Sequence, residues 1–283
     1  MPAKIRKFYA ETERGAVHIQ ESGMGAKVLL FVNVTSWGTV LMDEALPLFA
    51  EKGYRALNLD IMGYGRSDKR DPADGDWMIE DFATNIEQAM ESAGVRPLGI
   101  VAGHMAGLIG VELARRAPEG LRGLSIEGMP IIDPAVRATN RTAPTPTPYP
   151  WTEDGAHAVE YWNRIYKLVK RLDPAFELTA NPGTKFRRAF ITYLEVGCFE
   201  PGTMPAVAHY EIEQKLAEIT LPTMVMCSDY DWNLPSHPKI LSHLKHGREF
   251  RWTGVHPLHD MTVAGRAPEY VEAIDGFFAP LLE

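Results

Sequence analysis

The feature that most constrains the fold is a repeated alternation of short apolar runs with amphipathic stretches. Residues 28–34 (VLLFVNV) are β-branched and aromatic without polar alternation, the pattern of a strand buried on both faces. Residues 43–53 carry apolar side chains at helical spacing and end on a glycine, and 55–59 form a second strand pattern. The alternation continues with a helix pattern at 78–93, a strand at 98–102, a helix at 106–116 and a strand at 121–126. It resumes later with strand patterns at 223–227 and 249–253 and a closing helix at 268–281. A strand followed by a crossover helix and another strand makes parallel neighbours, so the pattern predicts an α/β fold with a mostly parallel, doubly wound sheet.

The rhythm breaks after Ile132. Residues 142–150 (TAPTPTPYP) hold four prolines in nine positions, which excludes a helix or a central strand and predicts a linker. Beyond it, 154–172 and 184–197 carry helical periodicity with Tyr161, Trp162, Tyr166, Phe186, Phe190 and Tyr193. The expected organisation is a core built from 1–130 and 217–283, interrupted at 131–216 by a helical insertion with its proline-rich linker.

Charge and cysteine usage narrow the partners. A formal net charge of -8 leaves no basic stripe to neutralise a phosphate backbone, so nucleic acid is not an expected partner. Cys198 and Cys227 lie outside any C-x-x-C spacing and read as two buried thiols, without a disulfide framework or a zinc site. No stretch approaches the roughly 18 continuous apolar residues that a membrane helix needs, and residues 1–12 lack the apolar core of a signal peptide. The expectation is a cytoplasmic protein with a small-molecule substrate, no metal and no cofactor, and an aromatic-rich insertion compatible with a homodimer.

In an open parallel sheet, ligands bind beyond the carboxyl ends of the strands, so the residues there carry the chemistry. Asp60-Ile61-Met62-Gly63-Tyr64-Gly65-Arg66-Ser67-Asp68 follows one strand and by itself is a structural loop. Gly103-His104-Met105-Ala106-Gly107 follows another and directly precedes a helix, the arrangement of a nucleophile elbow. These motifs, then Pro222-Thr223 opening a strand, Asp231, and Gly254-Val255-His256, together resemble the α/β-hydrolase superfamily over nearly the whole chain. The resemblance implies the α/β-hydrolase fold, with the insertion in the place of the helical cap.

It also implies roles, and two positions depart from them. The centre of the elbow is Ser, Cys or Asp in the family, whereas Met105 takes that place here, in the strained backbone position. A thioether carries no proton to surrender and would yield a sulfonium, so an acyl-enzyme is not expected. After the first of the parallel strands the family has His-Gly, whereas this chain has Asn33-Val34-Thr35-Ser36-Trp37. Val34 lacks glycine's freedom to shape an oxyanion hole, and the amide of Asn33 or the hydroxyls of Thr35 and Ser36 are substitute donors. The general base is better kept. His256 stands where the family places its catalytic histidine, and Asp231 where it places the orienting acid, with Glu127 as the alternative ranked second.

Each candidate has a plainer role beside it. His104 is expected to bond structurally beneath the elbow, with Ala106 next to it in the pocket wall. Trp37 and Trp232 lie in strand-end loops and either fill the core or wall an apolar pocket. His259 with Asp260 has metal-like spacing but no H-E-x-x-H helix, so a surface histidine is favoured. One of Asp229 and Asp231 is expected to be a solvated loop carboxylate. The function expected is hydrolase-like: cleavage of an ester, lactone or C–C bond in a small, largely apolar substrate, with His256 activating water. The alternatives are a lyase, isomerase or cyclase using the same histidine and acid, and a ligand-binding pseudoenzyme.

Overall fold

Strands β3 (Lys27–Val32), β4 (Tyr54–Leu59), β5 (Gly99–Gly103), β6 (Gly123–Glu127), β7 (Thr223–Ser228) and β8 (Gly247–Trp252) hydrogen-bond as parallel neighbours in the order 4-3-5-6-7-8. Two further strands, β1 (Arg6–Thr12) and β2 (Gly15–Ser22), extend the β4 side as antiparallel neighbours, giving one sheet of eight strands. The computed structural model describes residues 3–32, 38–69, 75–116, 119–142, 152–177, 186–187, 190–192, 194, 203–258 and 266–283.

Helices cover both faces, as the alternation of patterns requires. Helices α2 (Ile79–Ser92), α3 (Ala106–Arg116), α7 (Ile212–Glu218) and α8 (His237–His243) contribute to one apolar cluster, and α1 (Ala45–Glu51) and α9 (Ala267–Phe278) to the other. Helix α2 shows how local sequence sets this. Asp81 in its first turn accepts a hydrogen bond from the Met78 backbone N–H, and Ile79, Phe82, Ile86, Ala89 and Met90 lie on its buried stripe. Full burial of Phe82 alone is worth about 1.5–3 kcal/mol.

Strands β1 and β2 have no counterpart in the sequence reading, and their composition explains why. In β2 the buried residues include His18, Gln20 and Glu21, which interrupt the apolar signal and are tolerated because they are paired. Glu21 receives Arg6 and Arg55, and His18 Nδ1 lies 2.8 Å from Asp60 Oδ2. Asp60, at the end of β4, also accepts the Thr39 N–H at 2.7 Å and the Arg66 N–H at 3.1 Å. The glycine-punctuated loop is thus wrapped around one carboxylate, and Gly65 (φ +50°) has no room for a side chain because a Cβ there would come within 2.6 Å of the Asp60 carboxyl atoms.

Between β6 and β7 lie α4 (Pro134–Thr142), α5 (Ala156–Leu172), α6 (Thr203–His209) and α7. Ile165, Val169 and Leu172 of α5 pack with Phe176, Phe186 and Leu41 in a separate apolar cluster, Leu41 coming from the short turn Gly38–Met42. By contrast, Ala206, Val207, Tyr210, Ile212 and Leu216 are buried in the main cluster of the sheet. Tyr210 donates to Glu112 of α3, a fully buried carboxylate that also receives Arg115 and Arg116. The proline-rich stretch from Ala143 onward, and most of the helix expected at 184–197, lie outside the described residues. Among the described residues no helix is long and apolar enough to cross a membrane.

Candidate active site

At the carboxyl end of β5 the backbone turns sharply into α3, and His104 is the residue that makes the turn. Its φ is +51°, a left-handed value, and among the described non-glycine residues it alone has one. Its N–H donates to the Glu127 carbonyl at 2.6 Å, which ties the turn to the end of β6. Helix α3 can lie close beneath because position 110 is glycine; a Cβ there would stand 2.5 Å from that of Ala102.

The bend therefore sits one residue before the position expected. Met105 does not occupy the strained conformation; its side chain is partly buried against the main apolar cluster, and it is not among the described residues that line the cavity. Ala106 is fully buried as the first residue of α3. The cause is a second frame in the motif. Ala102 and Ala106 flank His104 at the same spacing at which Gly103 and Gly107 flank Met105, and strand β5 runs through Gly103. His104 is thus the elbow residue itself rather than a support beneath it.

Among the described residues, Asp231 and Asn233 hold its ring. Asp231, in the loop after β7, places Oδ2 3.4 Å from His104 Nε2, and Asn233 places its side-chain nitrogen 3.5 Å from Nδ1. Asn233 also donates from the same amide to the Gly128 carbonyl at 2.7 Å and from its backbone N–H to Asp231 Oδ1 at 2.8 Å. With an amide donor facing Nδ1, the network assigns the imidazole proton to Nε2, directed at Asp231. Burial, against the pull of Asp231, lowers the His104 pKa, so the ring is neutral near pH 7. Gly128 (φ +53°) leaves the space this needs, since a Cβ there would meet Asp231 Oδ2 at 2.3 Å and His104 Cε1 at 3.2 Å.

His256 follows β8 in the expected place and is buried against the rings of Trp252 and Tyr270. Its Nδ1 accepts the Leu258 N–H at 3.2 Å, which assigns the proton to Nε2. The acid beside it is Glu127, with Oε2 3.8 Å from His256 Nε2, whereas Asp231 faces His104. Of the two acids considered for His256, Glu127 is set beside its ring, and Asp231 is set beside that of His104. Glu127 accepts a hydrogen bond from the Tyr270 hydroxyl at 2.6 Å. Burial pushes the Glu127 carboxyl up to about 7, with Tyr270 opposing. Burial, reinforced by Glu127, raises the Tyr270 hydroxyl well above its usual value, so it remains a donor.

These groups converge. His104, Glu127, Gly128, Asp231, His256 and Tyr270 line one cavity of about 20 Å³. Cys227 also borders it; burial, then Asp231, raises its pKa and keeps it a thiol. Asp229 is the peripheral carboxylate of its loop, accepting from Arg251 at 2.7 Å and from the Gly254 N–H at 2.8 Å. Trp232 is 37% exposed, with its ring centroid 5.4 Å from that of His104. Asn33, Val34, Thr35, Ser36 and Trp37, expected as oxyanion donors and pocket wall, lie outside the described residues, as do Cys198, His259 and Asp260.

Tyr270, Asn233 and Gly128 are contributors that sequence reading did not find. Asn233 had one available signal, its place two residues after Asp231 in a strand-end loop. Tyr270 lies within an ordinary amphipathic helix and had none.

Solved structures give the architecture its context. An enol-lactonase from Burkholderia xenovorans shares 16% identity at a TM-score of 0.74, over 96% of this chain and 100% of that one. A laboratory evolved variant of potato epoxide hydrolase shares 15% at 0.73, over 98% and 100%. A proline iminopeptidase from Mycobacterium smegmatis shares 15% at 0.71, over 98% and 99%. No protein-family model matches the chain. The chain has the α/β-hydrolase fold, with a histidine at its elbow. At these identities the likeness is one of fold.

Proposed function

We propose that this chain is a hydrolase-type enzyme that cleaves an ester, lactone or C–C bond of a small organic substrate by activating water, without an acyl-serine intermediate. The observation that carries the reading is the convergence of two imidazoles, His104 and His256, and two carboxylates, Asp231 and Glu127, on one small cavity at the carboxyl ends of the strands. Its volume suits a single water molecule. The histidine–acid pair of His256 and Glu127 takes the water proton. Because Nδ1 of His256 already accepts from Leu258, Glu127 is the receiving atom set and the Nε2–H of His256 faces it. A carboxyl group near 7 is matched to that task, and such assistance contributes typically 10²–10⁴-fold. The neutral His104, held by Asp231 and Asn233, presents a fixed imidazole at the elbow.

The same Glu127 supports a second reading, a non-hydrolytic lyase or isomerase, because a carboxyl group populated in both forms near neutral pH can also shuttle a substrate proton. Isotopic water separates the two. Aryl esters and small lactones turned over in ¹⁸O-labelled water should yield labelled acid, with the rate falling at least a hundredfold in His256→Gln and Glu127→Gln. Turnover without label would overturn hydrolysis in favour of the second reading. Turnover that both substitutions leave intact would overturn both.

A further inference from the structure

We propose that Arg171 is the anchor for a carboxylate on the substrate, so that the site takes small carboxylate-bearing molecules with an apolar spacer; the inference rests on the functional reading above and deepens it. Arg171 lies in the last turn of α5, on the segment inserted between β6 and β7. Its guanidinium carbon stands 5.0 Å from the centroid of the Trp232 ring, within cation–π range. That ring is in turn 5.4 Å from the ring of His104, tilted by 47°, and Trp232 directly follows Asp231, which holds His104. A cation from the inserted helices is thereby placed two ring contacts from the elbow.

The chemistry of the guanidinium indicates what it is placed for. A guanidinium held over an indole by cation–π attraction keeps N–H donors that the ring does not engage, and its planar fork matches a carboxylate bidentately. Arg115, Arg116, Arg137, Arg141, Arg251 and Arg266 spend that fork on carboxylates of this chain; Arg171, like Arg66, Arg122 and Arg248, forms no ion pair among the described residues, and it is the one set against Trp232. A basic residue in the last turn complements the helix dipole, but that role does not require contact with the indole of a strand-end loop on another element. Arg171 is exposed, and Trp232 is partly so, which leaves the donor edge open to a ligand. Asp231 and Glu127 border the same site, so an anionic substrate needs a local cation to enter it. The geometry sets the carboxylate away from the bond being broken, the intervening distance being spanned by the spacer against Trp232.

Calorimetric titration with phenylbutyrate and with its neutral isostere phenylbutyramide tests this without requiring turnover. The expected result is at least tenfold tighter binding of phenylbutyrate to the unaltered protein. Arg171→Gln should abolish that preference while leaving phenylbutyramide binding and the thermal unfolding midpoint unchanged, and Arg171→Lys should retain part of it. Equal binding of the two probes by the unaltered protein, or a preference that survives in Arg171→Gln, overturns the proposal. The two readings fail separately. Labelled acid from neutral esters with no carboxylate preference leaves hydrolysis standing and removes the anchor. An Arg171-dependent preference without label incorporation leaves the anchor standing and removes hydrolysis.

Discussion

Asp231 directs Oδ2 at Nε2 of His104, 3.4 Å away, and so serves the residue at the elbow rather than the imidazole after the last strand. The acid, the turn and the helix beneath it form one group and His256 with Glu127 a second, and the two meet where the His104 N–H donates to the Glu127 carbonyl.

The location of the bend has an energetic signature. A left-handed φ costs a residue with a Cβ about 1–2 kcal/mol, and glycine adopts it freely. His104→Gly is therefore expected to be more stable than His104→Ala by about 1 kcal/mol, despite the usual penalty for glycine. At position 105 the order should invert, Met105→Ala being more stable than Met105→Gly. Urea unfolding of the four variants checks it, and the same order at both positions would count against His104 as the bend.

Gly128→Ala should be disruptive out of proportion to one methyl group. The added carbon would fall 2.3 Å from Asp231 Oδ2 on a backbone with φ +53°, so either the loop after β7 or the end of β6 must move. A loss of about 2–4 kcal/mol in unfolding free energy is expected, with a drop in turnover that exceeds it. Stability within 0.5 kcal/mol, roughly the range of an ordinary surface change, would show that the site relaxes freely.

Glu127 makes stability depend on pH in a defined direction. Its folded value is raised, so the native state holds a proton that the unfolded chain has released between about pH 4.5 and 7. Stability contributed by that proton is fully present below the unfolded value and is lost as pH rises through about 7, by up to about 3 kcal/mol. His104, whose value is lowered, acts oppositely: its contribution is present above its unfolded value and lost as pH falls. Comparing the unaltered protein with Glu127→Gln cancels the His104 part. The gap in unfolding free energy between the two should widen in favour of Glu127→Gln from pH 5 to pH 8, and a constant gap would show that Glu127 is not buried as described.

Tyr270→Phe removes the hydroxyl that donates to Glu127 and opposes its upward shift. The ionisation of Glu127 should then move to higher pH, carrying the acidic limb of the pH–rate profile with it. A change in rate with no displacement of the limb would assign Tyr270 to packing alone.

Glu112 has the opposite character. Although burial opposes it, hydrogen bonds from Arg115, Arg116 and Tyr210 hold its carboxyl down at about 2. Glu112→Ala would leave those partners uncompensated and should cost about 3–5 kcal/mol. The Michaelis constant of folded enzyme at low temperature should be unaffected, since this cluster lies on α3 and Tyr210 and outside the cavity.

The parallel core was legible because central strands such as β3 and β7 are apolar on both faces, and the helices between them show the matching period. Strand β2 was not, since its buried His18, Gln20 and Glu21 owe their tolerance to partners far along the chain. The same distinction governs the site. The places of His256, Asp231 and Glu127 at strand ends were legible in the sequence, while which ring each acid faces was not. Ala-x-His-x-Ala and Gly-x-Met-x-Gly overlap by one position, and only the exit register of β5 separates them. Tyr270 reaches Glu127 from 143 positions away, a relation that no local pattern encodes.

Asp60 has a mechanical consequence beyond its own loop. Through Thr39 it steadies the short turn that carries Leu41, and Leu41 packs in one apolar cluster with Ile165, Val169 and Leu172 of α5 and with Phe176 and Phe186. A single carboxylate at the tip of β4, at the same carboxyl end of the sheet as the elbow, therefore steadies the turn against which the helix bearing Arg171 packs, and loosening it would be felt at the mouth of the site.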